Sequence, residues 1–156
     1  LETGQVQTTS GTFEAVVKDI RLYTTDGERV EFVDVGQDVE LRIDVEARAD
    51  IPRLVLGYMI KGRLGQTIVG TNTVHTRQVV EDVPAGNMVS CVARFRMNLG
   101  PGTSSGSTAL VSTDTHLVDN YEWRDLALIF TVANHSQQHF VGSAWIPPQF
   151  EVRSLP

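Results

Sequence analysis

The amino-acid sequence predicts an all-β protein, a two-sheet antiparallel β-sandwich with Greek-key connections. Three observations carry that expectation. Short runs alternate apolar and polar residues with the period of a strand, turns built from Gly, Pro, Asn and Asp separate them, and no long run has the 3.6-residue period of an amphipathic helix. Closure of the strands into a barrel is the structural alternative.

The elements follow in order. Residues 1–11 are rich in Thr, Gln, Ser and Gly without an apolar period, which suits a linker or disordered start, so the sandwich domain is expected over 12–156. Phe13, Ala15 and Val17 share one parity and Ile20 and Leu22 the other, so the first strand should contain a bulge before the Asp26, Gly27 turn. Val39, Leu41, Ile43, Val45 and Ala47 alternate with Glu40, Arg42, Asp44 and Glu46, one face apolar and the other wholly charged. A similar run places Val89, Cys91, Ala93, Phe95, Met97 and Leu99 inward.

Residues 53–61, 67–73, 108–115 and 126–132 are apolar or Thr-rich on both parities, as interior strands are. Residues 140–146 and 150–152 supply one or two last strands around Pro147 and Pro148, which cannot donate to a ladder and so mark an edge. The Gly/Ser segment from Gly100 to Gly106 has nothing to bury and is expected to be a mobile loop.

Composition narrows the function. At 156 residues the chain suits one domain, long enough to bury roughly 70% of its unfolded surface. Thirteen Lys and Arg against nineteen Asp and Glu give a net charge of −6. With no basic stripe, binding to nucleic acid or to anionic lipid is disfavoured. No apolar run approaches the roughly 20 residues of a spanning helix. Cys91 is the only cysteine, so no internal disulfide exists, which favours a reducing compartment. The start at Leu1, without Met or a signal pattern, reads as that of an excised segment, and a longer natural protein is expected.

Familiar catalytic signatures are absent: there is no phosphate-binding loop and no nucleophile elbow. His135 and His139 are spaced i, i+4, but they fall in a polar connector that does not hold two imidazoles on one metal, and no metal site is expected. Asp114, Asp119, Glu122 and Asp125 offer carboxylates of the kind a glycosidase pairs, although such clusters near loops are usually solvated turn chemistry. The stretch from His116 to Asp125 is more informative, because it mixes Tyr121 and Trp123 with an imidazole, an amide and carboxylates. A sugar ring stacks its C–H face on an aromatic and needs polar partners for its hydroxyls. The competing account is that both aromatics plug the end of the sandwich.

The sequence resembles the C-terminal domain of Wzt, the nucleotide-binding subunit of ABC transporters that export O-antigen polysaccharide. The likeness is carried, in order, by Asp26 and Gly27, the run Leu56 to Ile60, the run Gly70 to Thr73, Ala85 and Gly86, the run Phe95 to Leu99, the run Tyr121 to Asp125, the run Phe130 to Val132, and the run Phe140 to Gly142. Where that family usually has a Gly-Tyr turn, this chain has Gly106, Ser107, Thr108 and Ala109 within an enlarged Gly/Ser loop. The resemblance implies an immunoglobulin-like sandwich that binds the non-reducing end of a finished, lipid-linked glycan and couples chain completion to export in lipopolysaccharide biosynthesis. It also implies a homodimer, with the tail from Phe140 to Leu155 as a candidate exchanged strand, and a permease partner at the cytoplasmic face of the inner membrane. ATP and Mg would belong to an upstream ATPase domain; no cofactor is expected in this one.

The family binds glycan on the exposed face of one sheet, which here would join 53–61, 108–115 and 126–132. Either Tyr58 or the set Gly57, Met59 and Lys61 faces outward; a single sequence leaves that parity open. The expected carbohydrate-binding residues are Tyr58 or Met59 as stacking platforms, Lys61, His75 and Arg77 as hydroxyl partners, Thr113 and Thr115 as groove lining, and His116, Tyr121 and Trp123 at the rim. Two rival functions stay open: a glycoside hydrolase or lyase accessory domain, and a structural, protein-binding immunoglobulin-like module.

Overall fold

The computed structural model describes residues 7–113 and 120–156. Among them every regular element is a strand: β1 (Thr9–Ser10), β2 (Ala15–Thr24), β3 (Phe32–Asp34), β4 (Asp38–Ala47), β5 (Ile51–Lys61), β6 (Thr67–Asn72), β7 (Val80–Val83), β8 (Met88–Arg96), β9 (Gly102–Val111) and β10 (Asn120–Ala133). Among the described residues no helix is long and apolar enough to cross a membrane.

Two sheets face each other. The larger runs β1-β10-β9-β5-β6, with β3 beside β10 and β7 beside β5; the smaller runs β2-β4-β8. All pairs are antiparallel except β3 with β10, where Phe32 to Asp34 lie parallel to Thr131 to Ala133. The predicted immunoglobulin-like sandwich is the fold observed.

The alternation in β4 does what its pattern requires. Val39, Leu41, Ile43, Val45 and Ala47 are all buried against Leu54, Leu56 and Ile60 of β5, Leu110 of β9, and Phe130 and Val132 of β10. Each of the Val, Leu and Ile side chains, fully buried, contributes about 1.5–3 kcal/mol from its lost apolar surface. The other face of β4 joins its neighbours in a charge ladder: Arg42 and Arg94 both donate to Glu40, and Arg21 donates to Asp44. Arg42 also lies 4.0 Å from the Tyr23 ring centroid. Hydrogen bonds from Arg42 and then Arg94 hold the Glu40 carboxyl below its ordinary pKa.

The bulge expected in the first strand lies between Val17 and Asp19. The extra residue resets the parity, so that Ala15 and Val17 before it and Ile20 and Leu22 after it all point into the core. Glu122 of β10 reaches across the core, where its Oε1 accepts the Val17 N–H at 3.0 Å and its Oε2 lies 3.1 Å from Arg124 Nη2. At 1% exposure, Glu122 ties the two sheets together from the inside.

Three expectations are corrected. The segment from Gly102 to Gly106 is not a loop but the first half of β9, a central strand in which Ser104 and Ser105 are buried. Tyr121 and Trp123 lie within β10 rather than between strands. Residues 140–146 and 150–152 form no strand: a lone bridge joins Leu99 to Ala144, and Phe140 stacks on Trp145 with centroids 4.4 Å apart. Beyond it Phe150, Val152 and Leu155 are more than 80% exposed. At the other end, Thr9 and Ser10, within the stretch read as a linker, pair with Trp123 and Arg124.

Candidate functional site

Sheet register decides what the outer face of the large sheet presents. Leu56 pairs with Leu110 and both are buried between the sheets, so the residues one step on, Gly57 and Ala109, face outward beside each other. Trp123 stands across from Ala109, and Asn72 across from Gly57. Two residues further along β5, Met59 lies between Gly70 of β6 and Ser107 of β9. The face is therefore floored by small residues and walled by large ones.

The result is a cleft of about 270 Å³, whose lining includes Gly57, Met59, Gly70, Ala109 and Trp123. Small residues at Gly57 and Ala109 let a flat ligand reach the sheet, and Gly70 is forced by packing. A Cβ on Gly70 would lie 2.9 Å from the Tyr58 carbonyl oxygen, so any larger residue there would displace backbone. Thr67 Oγ1 donates to Met59 Sδ at 3.1 Å, which fixes that thioether on the cleft wall. At one mouth Asn72 Oδ1 accepts the Val74 and His75 N–H groups, both at 3.0 Å, building the turn that carries the His75 imidazole.

A polar bar closes the other end. Asp125 Oδ1 accepts Ser107 Oγ at 2.5 Å and the Leu126 N–H at 3.0 Å, and lies 3.3 Å from Lys61 Nζ, which in turn sits 5.7 Å from the Trp123 ring centroid. These contacts, led by the Ser107 hydrogen bond, hold the Asp125 carboxyl below its usual pKa against the raising effect of burial. The backbone is bent to place it. The β10 register slips between Arg124 and Leu128, Leu126 adopts φ 50°, and the Asp125 N–H donates to Thr8 O just before β1.

Of the residues expected to bind sugar, the structure brings Met59, Lys61, His75 and Trp123 to this cleft. Tyr58 borders it by its backbone, but its ring points inward and stacks on Phe95. Tyr121 is buried in the core and its hydroxyl donates to Arg53 O at 3.1 Å, so it is not at a rim. Arg77 is exposed at φ 60° on the β6–β7 connection and does not line the cleft. Thr113 is half-buried beyond the end of β9. Thr115 and His116 lie outside the described residues, as do Asp114 and Asp119. Sequence reasoning missed Gly70, Asn72 and Ser107 as site residues, and it singled out Asp125 as a candidate carboxylate without including it among the expected sugar-binding residues. Residues 102–109 are small at every position, so no alternation marks Ser107 and the composition reads as loop.

No group of three or more His, Cys, Asp or Glu suited to a metal exists among the described residues. Glu122 and Asp125 do not form a catalytic carboxylate pair: one is sealed in the core on Val17 and Arg124, the other is held ionised on the surface.

The chain is thus a two-sheet sandwich with an open trough, lined by Trp123 and Met59, on one sheet, and the comparisons with known proteins identify its family. The family model for the Wzt C-terminal domain matches residues 6–146. The chain belongs to that family. A crystal structure of the C-terminal domain of wzt superposes with a TM-score of 0.81 at 17% identity, covering 94% of this chain and 89% of that one. A β-glucosidase from Listeria innocua in complex with gluconolactone aligns at a TM-score of 0.42 and 7% identity over 84% of this chain and 17% of its own, too little to support an argument. No curated protein gives a significant match.

Proposed function

We propose that this domain binds, without catalysis, the non-reducing terminus of a lipid-linked O-antigen polysaccharide, and that binding couples chain completion to export by an ABC transporter. The observation that carries the reading is the trough itself. Glycines and alanine at its floor admit a sugar ring, Trp123 and Met59 offer apolar faces for its C–H groups, and Asn72, His75, Lys61 and Asp125 stand ready for its hydroxyls. Membership of the Wzt C-terminal domain family supports a role in O-antigen transport. In the longer protein an ATPase domain with its ATP and Mg would precede this one, at the cytoplasmic face of the inner membrane beside the permease.

A homodimer formed by exchange of the tail is part of the same proposal. Among the described residues strand β8 pairs only with β4, and its inward residues Val89, Cys91, Ala93 and Phe95 are half-buried. A cleft of about 340 Å³ opens beside them, lined among others by Ile60, Ile68, Phe95 and Leu99. The apolar tail residues Phe150, Val152 and Leu155 have no cover of their own, and a partner's tail laid along β8 would bury both surfaces. Light scattering on a chain ending at Ile146 should then report a monomer, and on the full chain a dimer.

Incubation with purified O-polysaccharide tests the principal claim. Saturable binding with no new reducing ends is expected. Release of reducing sugar would establish the hydrolase reading instead, and no response of any kind would leave the protein-binding module.

A further inference from the structure

The trough does not stop at the Lys61–Asp125 bar. Beyond it the outer face of β9 continues through Ser105 and Thr103, and a second cleft of about 410 Å³ opens there, bounded by Lys61, Arg63, Leu126 and Ile129. Register places Ser105 directly between Lys61 and Ile129, on the same face as the first cleft. Ser105 is 8% exposed, yet its hydroxyl is engaged by no other group of the described residues. Ser105 lines that cleft, where its hydroxyl can both donate to and accept from a bound ligand.

Charge adds to this. Arg63 is exposed on the β5–β6 connection and has no ion-pair partner among the described residues, so Lys61 and Arg63 outweigh Asp125 around the second cleft of a chain whose overall charge is −6. A cationic, hydroxyl-bearing hollow beyond a sugar-shaped one suits another saccharide unit, with Arg63 as a planar donor to its hydroxyls or to an acidic substituent.

We infer that the second cleft is a subsite for the sugar next to the one held against Trp123, so that the sheet reads at least two consecutive units of one chain with the glycosidic linkage lying over the Lys61–Asp125 bar. This rests on the glycan reading above and adds to it: recognition extends inward from the chain end. Ser105 and Arg63 belong to the second unit only, whereas Met59 and Trp123 belong to the first.

The test uses mono-, di-, tri- and tetrasaccharides released from the O-polysaccharide of the source strain by mild acid, titrated into the whole domain while amide shifts and affinity are followed. The monosaccharide should move Gly57, Met59 and Ala109 alone. Disaccharide and longer chains should also move Arg63, Thr103 and Ser105 and bind about tenfold more tightly, for the one or two added polar contacts. Ser105→Ala should remove about fivefold of that gain and leave monosaccharide affinity unchanged, and Ser105→Val should remove more by filling the hollow. Equal affinity for every length, with shifts confined to the first cleft, overturns the second subsite and leaves the glycan reading standing. Shifts at neither cleft overturn both.

Discussion

Tyr58 and Phe95 lie ring over ring between the two sheets, with centroids 6.3 Å apart and planes 12° from parallel. That stack settles the parity of β5. With Tyr58 turned inward, Gly57, Met59 and Lys61 must turn out, and the trough is built from them. Burial also pushes the Tyr58 phenol and the Cys91 thiol above their ordinary pKa values. Tyr58→Ala should therefore act on stability rather than on the site, lowering it by about 2 kcal/mol, below the ~3–5 kcal/mol of a fully buried aromatic because Tyr58 is half-buried. Urea midpoints for Tyr58→Ala, Phe95→Ala and the double variant should show a non-additive pair.

Trp123 should behave in the opposite way. It is half-buried on the outer face, so Trp123→Ala should cost little stability and remove most glycan binding, on the order of a hundredfold in affinity when a principal stacking platform is lost. Trp123→Phe, which keeps an aromatic face, should retain part of it. Calorimetric titration of both variants with O-polysaccharide, beside their thermal melts, separates the two effects.

Glu122 makes the sharper stability prediction. Glu122→Ala would strand the Val17 N–H at the β2 bulge and leave Arg124 without its carboxylate, a loss of about 3–5 kcal/mol. Glu122→Gln keeps an acceptor for Val17 and should lose clearly less. Denaturant unfolding of the two variants reads the difference, and equal losses would contradict the clamp.

The pH dependence of the bar follows from Asp125. Its folded pKa lies below the ordinary value of 3.8, so its contribution to stability is present above that value and is lost as the pH falls through the lowered folded value. Between neutral pH and about pH 5 the bar should stay intact. Carboxyl carbon shifts of Asp125 should titrate below those of an unpaired aspartate, and Ser107→Ala should raise that midpoint, since the Ser107 hydroxyl is the largest cause of the depression.

Much of the fold was written in the alternation of β4 and β8, where one face meets core and the other water, and in the parity break at Lys18 that marks the β2 bulge. The same rule failed where it had to. In β5, Val55 on the outer face is as buried as Leu54 and Leu56 on the inner, so no binary pattern distinguishes the faces. Strand β9 looked like a loop because it is made of Gly, Ser and Thr. On its outer face the trough lies over Ser105 and Ser107, where small side chains leave room for it. Of the site, aromatic and cationic residues were legible by type, whereas Gly70 and Asp125 were set by register and by a bulge that local sequence does not announce.

Gly57 offers the most direct test that the outer face of the large sheet is a glycan trough. A Cβ there would meet Asn72 Cβ at 3.4 Å and Ala109 Cβ at 3.9 Å, ordinary contacts, so Gly57→Val should fold as well as the parent while filling the floor. Amide shifts on adding O-polysaccharide should appear at Met59, Ala109 and Trp123 in the parent and vanish in the folded variant. Undiminished binding by Gly57→Val, or shifts gathered on the charged face around Glu40 and Arg94, would contradict the account.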